Sequence, residues 1–563
     1  MRRLENNQDS GRLQMAMLLS IVVYFVYMSF LETPQSIPPT VELPRAENQD
    51  ILSNSNSVHN EIQIPVETER VISNIPFHSA DFSTDSVTVK TTSSAGAIGD
   101  AYLSDFTNPP KISTWWGWLF DREGRWNPYS EGEDTLRILT EEASFLAVGV
   151  GEFRSYPGNV EIKVREEKEQ IFVKQKISGI SVNKTVSKTE NPYIFDVELK
   201  LVNTTQQKIS DIWIGNFDNM VGTSSRFLEE IRPQLYIDSG LETFTEHEDL
   251  NSDPETIEMK PDWFGLGSRY FLAATEITDQ SVVEKTIVTS MDDASKYGTA
   301  VILAPLSAGD TRSISMKAYI GPKSIENLQT LSENWTYAID YGIFGFFSRV
   351  LLFLLKIFFH GFQNWGVAIL LLTFTIKLIF YPLTQKAFVS GRKMQLLQPQ
   401  LSEIKEKYKD NQQLQAQETM KLFQKHGTSP LGGCLPTMIQ IPVWFALYNV
   451  MLYSVELYDS SFLYLKDLTS VDPYGFLPVL YTLLMVFQMR MTPMSSAGGS
   501  DNEMQQQMQQ MMKIMPFLFG VFMFTFPSGL VLYFSLNIFL TAVQQWIIRL
   551  QFAEIELATS TVE

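Results

Sequence analysis

The run from Trp365 to Lys386, WGVAILLLTFTIKLIFYPLTQK, constrains this chain more than any other stretch. It is almost wholly apolar for about the twenty residues that a membrane-spanning helix needs. One charge, Lys377, interrupts it. Thr373 lies one turn before that lysine and Thr384 two turns after it, so all three share a helical face. A lysine inside hydrocarbon costs on the order of 3 kcal/mol or more, so its presence needs a reason. Lining a watery cavity, where it meets polar or acidic partners, is one reason. Snorkelling is the other, since Thr384 is only about 10 Å further along the axis. The segment alone leaves both open.

The 563 residues exceed one ordinary domain, and their 44% hydrophobic content averages a polar first half with a very apolar remainder. A formal charge of −19 excludes bulk electrostatic recognition of nucleic acid. Cys434 is the single cysteine, which excludes an internal disulfide and leaves a thiolate metal site without a second ligand. Its expected role is that of a small buried residue near a helix end.

After MRRLENNQDSGR come nineteen uncharged residues, Leu13 to Leu31, enough to span roughly 28 Å as a helix. The run is long for a cleaved signal, and ETPQSIPP follows it rather than a small-x-small site, so a retained anchor over 1–31 is expected. Arg2, Arg3 and Arg12 before it and Glu32 after it place the N-terminus in the cytoplasm. Residues 32–60, rich in Pro, Asn and Ser, read as a linker.

From 61 to 325 the pattern changes to short strands. Tyr193, Phe195, Val197, Leu199 and Leu201 alternate with mostly polar residues, as do Ile314, Met316, Ala318 and Ile320 before Gly321-Pro322. Such alternation, broken by Gly, Asn and Pro, predicts antiparallel sheets packed face to face in a large all-β sandwich. No catalytic constellation stands out here: His78 and His247 are isolated, and Trp115, Trp116 and Trp118 suit packing better than a binding platform.

Within 341–360, the helix FGFFSRVLLFLLKIFF carries Arg349 and Lys356 seven residues apart on one face, which suits the membrane interface. The helix over 361–385 follows, and then a polar stretch, 386–430. There Met394, Leu397, Leu401, Ile404 and Tyr408 fall at the spacing of a coiled-coil seam. A turn at Lys409-Asp410-Asn411 and a second helix with Leu414, Met420 and Phe423 complete a hairpin, whose excess of basic residues places it in the cytoplasm. In 431–549 four more spans are expected, near 435–455, 474–490, 512–526 and 530–548; the tail 550–563 is short and acidic. The loop 456–473 is acidic, hence outside, whereas Arg490 and Lys513 put the next loop inside. The whole reads as a multi-domain membrane protein with a six-span α-helical part. Polar residues recur on faces of these spans: Thr437 and Gln440 on the third, and Phe534, Asn537, Thr541 and Gln544 at three-four-three spacing on the sixth. Interhelical hydrogen bonding accounts for any one of them. Three polar faces plus an intramembrane lysine favour a shared hydrated groove.

Three segments, LLTFTIKLIFYPLT (371–384), SPLGGCLPTMIQIP (429–442) and FPSGLVLY (526–533), resemble the YidC family of membrane protein insertases. The likeness extends to the layout of Gram-negative members: an anchor, a large periplasmic β-sandwich, an interfacial helix, a cytoplasmic hairpin and a five-helix insertase core. It implies a non-enzymatic insertase that uses no cofactor or metal. A hydrophilic groove would receive the polar segment of a nascent integral membrane protein while the apolar segment slides into lipid. The groove residues implied are Lys377, where relatives usually carry arginine, Thr373, Gln440, Phe534, where a close relative carries tyrosine, Asn537 and Thr541. The implied partners are nascent membrane proteins, membrane lipid, the Sec translocon and the ribosome, the last through the hairpin because the tail lacks the basic residues some relatives have. The residues also bear on two rival classes. A secondary transporter or channel using Lys377 would predict inverted repeats or paired broken helices, which are not seen. An intramembrane protease with Ser528 as nucleophile lacks a membrane-embedded histidine or aspartate.

Overall fold

The computed structural model describes residues 80–91, 97–105, 136–139, 143–153, 161–165, 169–218, 232–238, 240–244, 255–291, 296–409, 411–426, 435–491 and 514–560. The expected anchor, the linker 32–60, His78, His247, the three tryptophans at 115–118 and Cys434 lie outside the described residues.

Among the described residues, eighteen strands between Ala80 and Pro322 form two nine-stranded sheets with antiparallel pairing. Strand Ile194–Asn203 buries Phe195, Val197, Leu199 and Leu201 and exposes Asp196, Glu198 and Lys200 between them. Its partner Thr311–Pro322 sets Ala318, Met316 and Ile314 opposite Phe195, Val197 and Leu199, so one apolar face continues across both strands. Tyr193, expected to begin the first of these, sits in the turn just before it. In the other sheet Ile212–Asp218 is buried along its whole length, between Ser144–Val150 and Lys296–Leu303.

A buried polar tie joins the two sheets. The register of Ser144–Val150 slips opposite Gly215–Phe217, and there Leu146 adopts φ 57°. Both of its freed backbone groups find side chains: its N–H donates to Asn216 Oδ1 at 2.9 Å, and Lys184 Nζ donates to its carbonyl from the opposite sheet. Asn216 Nδ2 in turn reaches Phe264 O and Thr275 Oγ1, each at 3.2 Å. Lys184 is fully buried, and loss of hydration pushes its amine down to about 7.

Helices follow the sandwich: α1 (Ile325–Gln329), α2 (Gly345–Phe362), α3 (Trp365–Leu396), α4 (Gln398–Lys407), α5 (Gln412–Lys425), α6 (Leu435–Tyr453), α7 (Phe476–Met491), α8 (Ile514–Met523) and α9 (Ser528–Ser560). Among the described residues α2, α3 and α9 include stretches long and apolar enough to cross a membrane. Helix α2 buries Ser348, Leu351, Leu352 and Leu355, while Phe346, Val350, Phe353 and Ile357 form an exposed apolar stripe at helical spacing. Its Lys356 bridges Glu326 on α1 at 2.6 Å and Glu456 at 2.7 Å. Two helices outrun the expected spans: α3 continues through Pro382 to Leu396, and α9 reaches Ser560.

The hairpin seam divides. The backbone breaks at Leu397, with Pro399 in the first turn of α4, so Met394 belongs to α3 and the residues from Leu401 onward to α4 or its cap. Leu397, Leu401 and Phe423 form a separate small core. Leu422 packs against it; Ile404 and Tyr408 are half-buried, whereas Leu414 and Met420 are exposed. Asn411 caps α5 by accepting from Leu414 N at 3.1 Å.

Candidate functional site

Helices α3, α6 and α9 bring their polar faces together. Lys377 Nζ donates to Thr541 Oγ1 at 2.6 Å, from α3 to α9. An ammonium can only donate, so the threonine oxygen must accept, and its own proton goes to Asn537 O at 2.6 Å. Asn537 Oδ1 accepts from Gln440 Nε2 on α6 at 3.5 Å, at the long limit of a hydrogen bond. Two turns beyond Lys377, Gln544 Nε2 donates to Thr384 Oγ1 at 2.9 Å. Positions 537, 541 and 544 fall on one face of α9 because they step by four and three. Lys377, Gln440 and Thr541 are each half-buried, so this seam is partly accessible. Among the described residues Lys377 forms no ion pair. A cation held by one hydroxyl keeps most of its charge available to an incoming group.

The other expected site residues divide. Thr373 shares the helical face of Lys377 but is buried, and its hydroxyl donates to Ile369 O at 2.7 Å instead of reaching the lysine. Phe534 forms a wall: its ring lies 6.5 Å from Trp444 and 6.5 Å from Tyr481, centre to centre. Trp444 and Tyr481 are not among the residues that the sequence points to. The signal for Trp444 was there, one turn after Gln440 on α6. Thr437 lies on α6 with its side chain outside the described residues.

One end of the seam is closed by the loop between α6 and α7. Asp467 is buried there, and its carboxylate accepts from Thr469 N at 2.9 Å, from Thr469 Oγ1 at 2.7 Å and from Ser470 Oγ. Backbone bonds from Ser528 N to Ser470 O at 2.7 Å and from Gly529 N to Leu468 O at 2.9 Å tie the loop to the start of α9. Asp472 caps α7 by accepting from Leu477 N at 2.8 Å. At the start of α3, a Cβ on Gly366 would come within 2.1 Å of the Phe462 ring, so only glycine lets the loop lie this close. Ser528 is fully buried, and its hydroxyl donates to Asp467 O at 3.2 Å, which makes it part of this closure.

Residues 80–354 match the family described as the YidC periplasmic domain, and residues 357–554 match the 60Kd inner membrane protein family. The Membrane protein insertase YidC of Geobacter sulfurreducens is 32% identical over 432 residues, 74% of this chain and 75% of its own length. The chain belongs to the YidC family. A second YidC, from Syntrophobacter fumaroxidans, is 34% identical over 399 residues, 66% of this chain and 69% of its own. A solved YidC insertase structure with its first transmembrane domain is 18% identical and covers 83% of this chain and 91% of that one, with a TM-score of 0.33. The family places the β-sandwich in the periplasm and the apolar helices in the inner membrane. Among the described residues, the α3–α6–α9 seam gathers polar side chains from three helices, and the loop that Asp467 organises closes one end of it.

Proposed function

We propose that this chain inserts integral membrane proteins into the inner membrane, working without covalent chemistry. The observation that carries the reading is Lys377, a half-buried cation in an apolar helix whose hydrogen-bond partner is the Thr541 hydroxyl. A charge in a wet but low-dielectric seam attracts acidic client segments and lowers the cost of drawing polar residues part-way across. The apolar client segment then partitions into lipid, which supplies the driving force together with the membrane potential. The topology proposed has six spans, with both termini and the α4–α5 hairpin in the cytoplasm. The hairpin would meet ribosomes or arriving clients, and the Sec translocon is the proposed lateral partner for larger clients.

Photo-crosslinkers at positions 440 and 537, in cells making a radiolabelled small membrane protein, test the reading. Crosslinks to the client during synthesis support it, and absence of client from both positions overturns it. Topology is tested on a Cys434→Ser background with single cysteines at exposed positions 310 and 425. An impermeant reagent added from the periplasmic side should label position 310 and miss position 425; the reverse overturns the topology.

A further inference from the structure

The turn 268–270 of the β-sandwich stands against the C-terminal end of α6. Arg269 holds its guanidinium carbon 5.9 Å from the centre of the Tyr453 ring, and Tyr453 is the last residue of α6. Arg232 opens the strand Arg232–Ile237 and pairs directly with Gly267, so it lies at the same end of these paired strands as Arg269. The turn is held firmly: Ser268 N donates to Phe271 O at 2.9 Å, and Tyr270 and Phe271 each pack edge-on to Tyr458 at 5.3 Å. Both arginines are half-buried. Burial, then the neighbouring charge of Arg269, draws Arg232 below its ordinary range, which fits two guanidinium groups on the same side of the domain.

The surroundings have the vertical order of a lipid. Tyr453 and Tyr448 occupy the last turns of α6, where tyrosines settle at the headgroup level of a span. Deeper along the same helix, Phe445 is 40% exposed and Ile441 37% exposed. Phe445 stacks on Phe344 at 5.9 Å, which widens the apolar surface next to it.

We propose that Arg232 and Arg269 form a binding site for the phosphate of an anionic phospholipid in the periplasmic leaflet, beside the end of α6. The site rests on the reading of α6 as a span under Proposed function. A guanidinium fork matches phosphate oxygens two at a time, and its five donors accommodate a phosphate beside the protein contacts that each arginine also makes. The bound headgroup fixes the height of the periplasmic domain over α6.

The test uses the full chain, purified and titrated with phosphatidylglycerol or phosphatidylcholine, with bound lipid counted by native mass spectrometry. The wild type should retain phosphatidylglycerol in preference. Arg232→Gln/Arg269→Gln should bind it about tenfold more weakly, the scale of losing charge-assisted hydrogen bonds. Arg269→Lys keeps the charge and loses the fork, and should drop about threefold. Lys200→Gln/Lys208→Gln, a charge-matched change at exposed positions, should leave binding unaltered. Undiminished binding in both arginine variants, or an equal fall in the lysine control, overturns the proposal. Displacement by inorganic phosphate, or by a soluble acidic peptide, also overturns it, pointing to a free anion or a client carboxylate as occupant. A spin label at position 453 reports depth independently. A label away from headgroup level overturns the reading of α6 as a span and the proposal with it. Headgroup depth without lipid preference overturns the proposal alone.

Discussion

Lys377 Nζ and Thr541 Oγ1 meet at 2.6 Å although 164 residues separate them in the chain, and the hydroxyl that receives the ammonium is itself anchored on Asn537 O. The charge is therefore positioned without being neutralised, because a hydroxyl orients a cation and an acid would cancel it.

Lys377→Ala should reduce insertion of clients with acidic translocated segments. A unit charge about 8 Å away at an effective dielectric of about 20 is worth about 2 kcal/mol, roughly thirtyfold in a partition step. Lys377→Arg should retain function, and the level of either variant in the membrane should hold, since a half-wet charge does not stabilise a span. Insertion of clients of graded acidity, measured beside membrane-level controls, checks this. Full activity of the alanine variant on the most acidic client would retire the role of the charge.

Thr384 and Gln544 satisfy each other within the seam, and both are buried. Gln544→Leu leaves the Thr384 hydroxyl only the Phe380 and Tyr381 carbonyls of its own helix, and Thr384→Val leaves the Gln544 amide only a long 3.4 Å bond to Tyr381 O, so each single change should lower stability by about 1 kcal/mol. Thr384→Val/Gln544→Leu should cost less than the sum, because each change removes the group that the other leaves under-satisfied. Unfolding in mild detergent across the four proteins measures the coupling, and strict additivity would deny the pair.

Lys184 makes the stability of the periplasmic domain depend on pH. Its pKa falls from 10.5 to about 7 on folding, so between those values the unfolded chain binds more protons than the folded one. Stability therefore rises with pH across that window, and the penalty is complete below about 7, amounting to about 5 kcal/mol at most. Denaturant midpoints of the full chain, followed by tryptophan fluorescence from pH 6.5 to 9.5, should climb. Lys184→Met should flatten that climb even though it leaves the Leu146 carbonyl without its donor.

The small core of Leu397, Leu401 and Phe423 predicts that the hairpin folds on local contacts. Phe423→Ala should loosen α4 and α5 by about 3 kcal/mol in hydrogen exchange and leave exchange in α6 and α9 unchanged. Replacing 398–424 with a short Gly-Ser bridge should keep the core folded and impair insertion. Loss of the protein from the membrane would show that the hairpin supports the core instead.

The periodicities written in the chain determined a good deal without any tertiary information. Alternation at Phe195, Val197, Leu199 and Leu201 specifies a strand with one buried face, because successive side chains of a pleated strand point to opposite sides. Apolar length gives α3 its span, and spacing by four and three puts Asn537, Thr541 and Gln544 on one face of α9. What a period does not contain is the partner. Thr373 and Thr541 are equal candidates for Lys377 on spacing alone, and the nearer one turns its hydroxyl to its own backbone, as threonines inside helices readily do. The division of the hairpin seam at Leu397 likewise follows from how two helices meet Phe423, not from heptad spacing. The inter-sheet tie through Leu146, Asn216 and Lys184 had no local signal, since each residue is satisfied by groups from distant strands. Short-range backbone geometry is encoded residue by residue. Which polar groups satisfy one another is decided only when packing removes the water that would otherwise have served them.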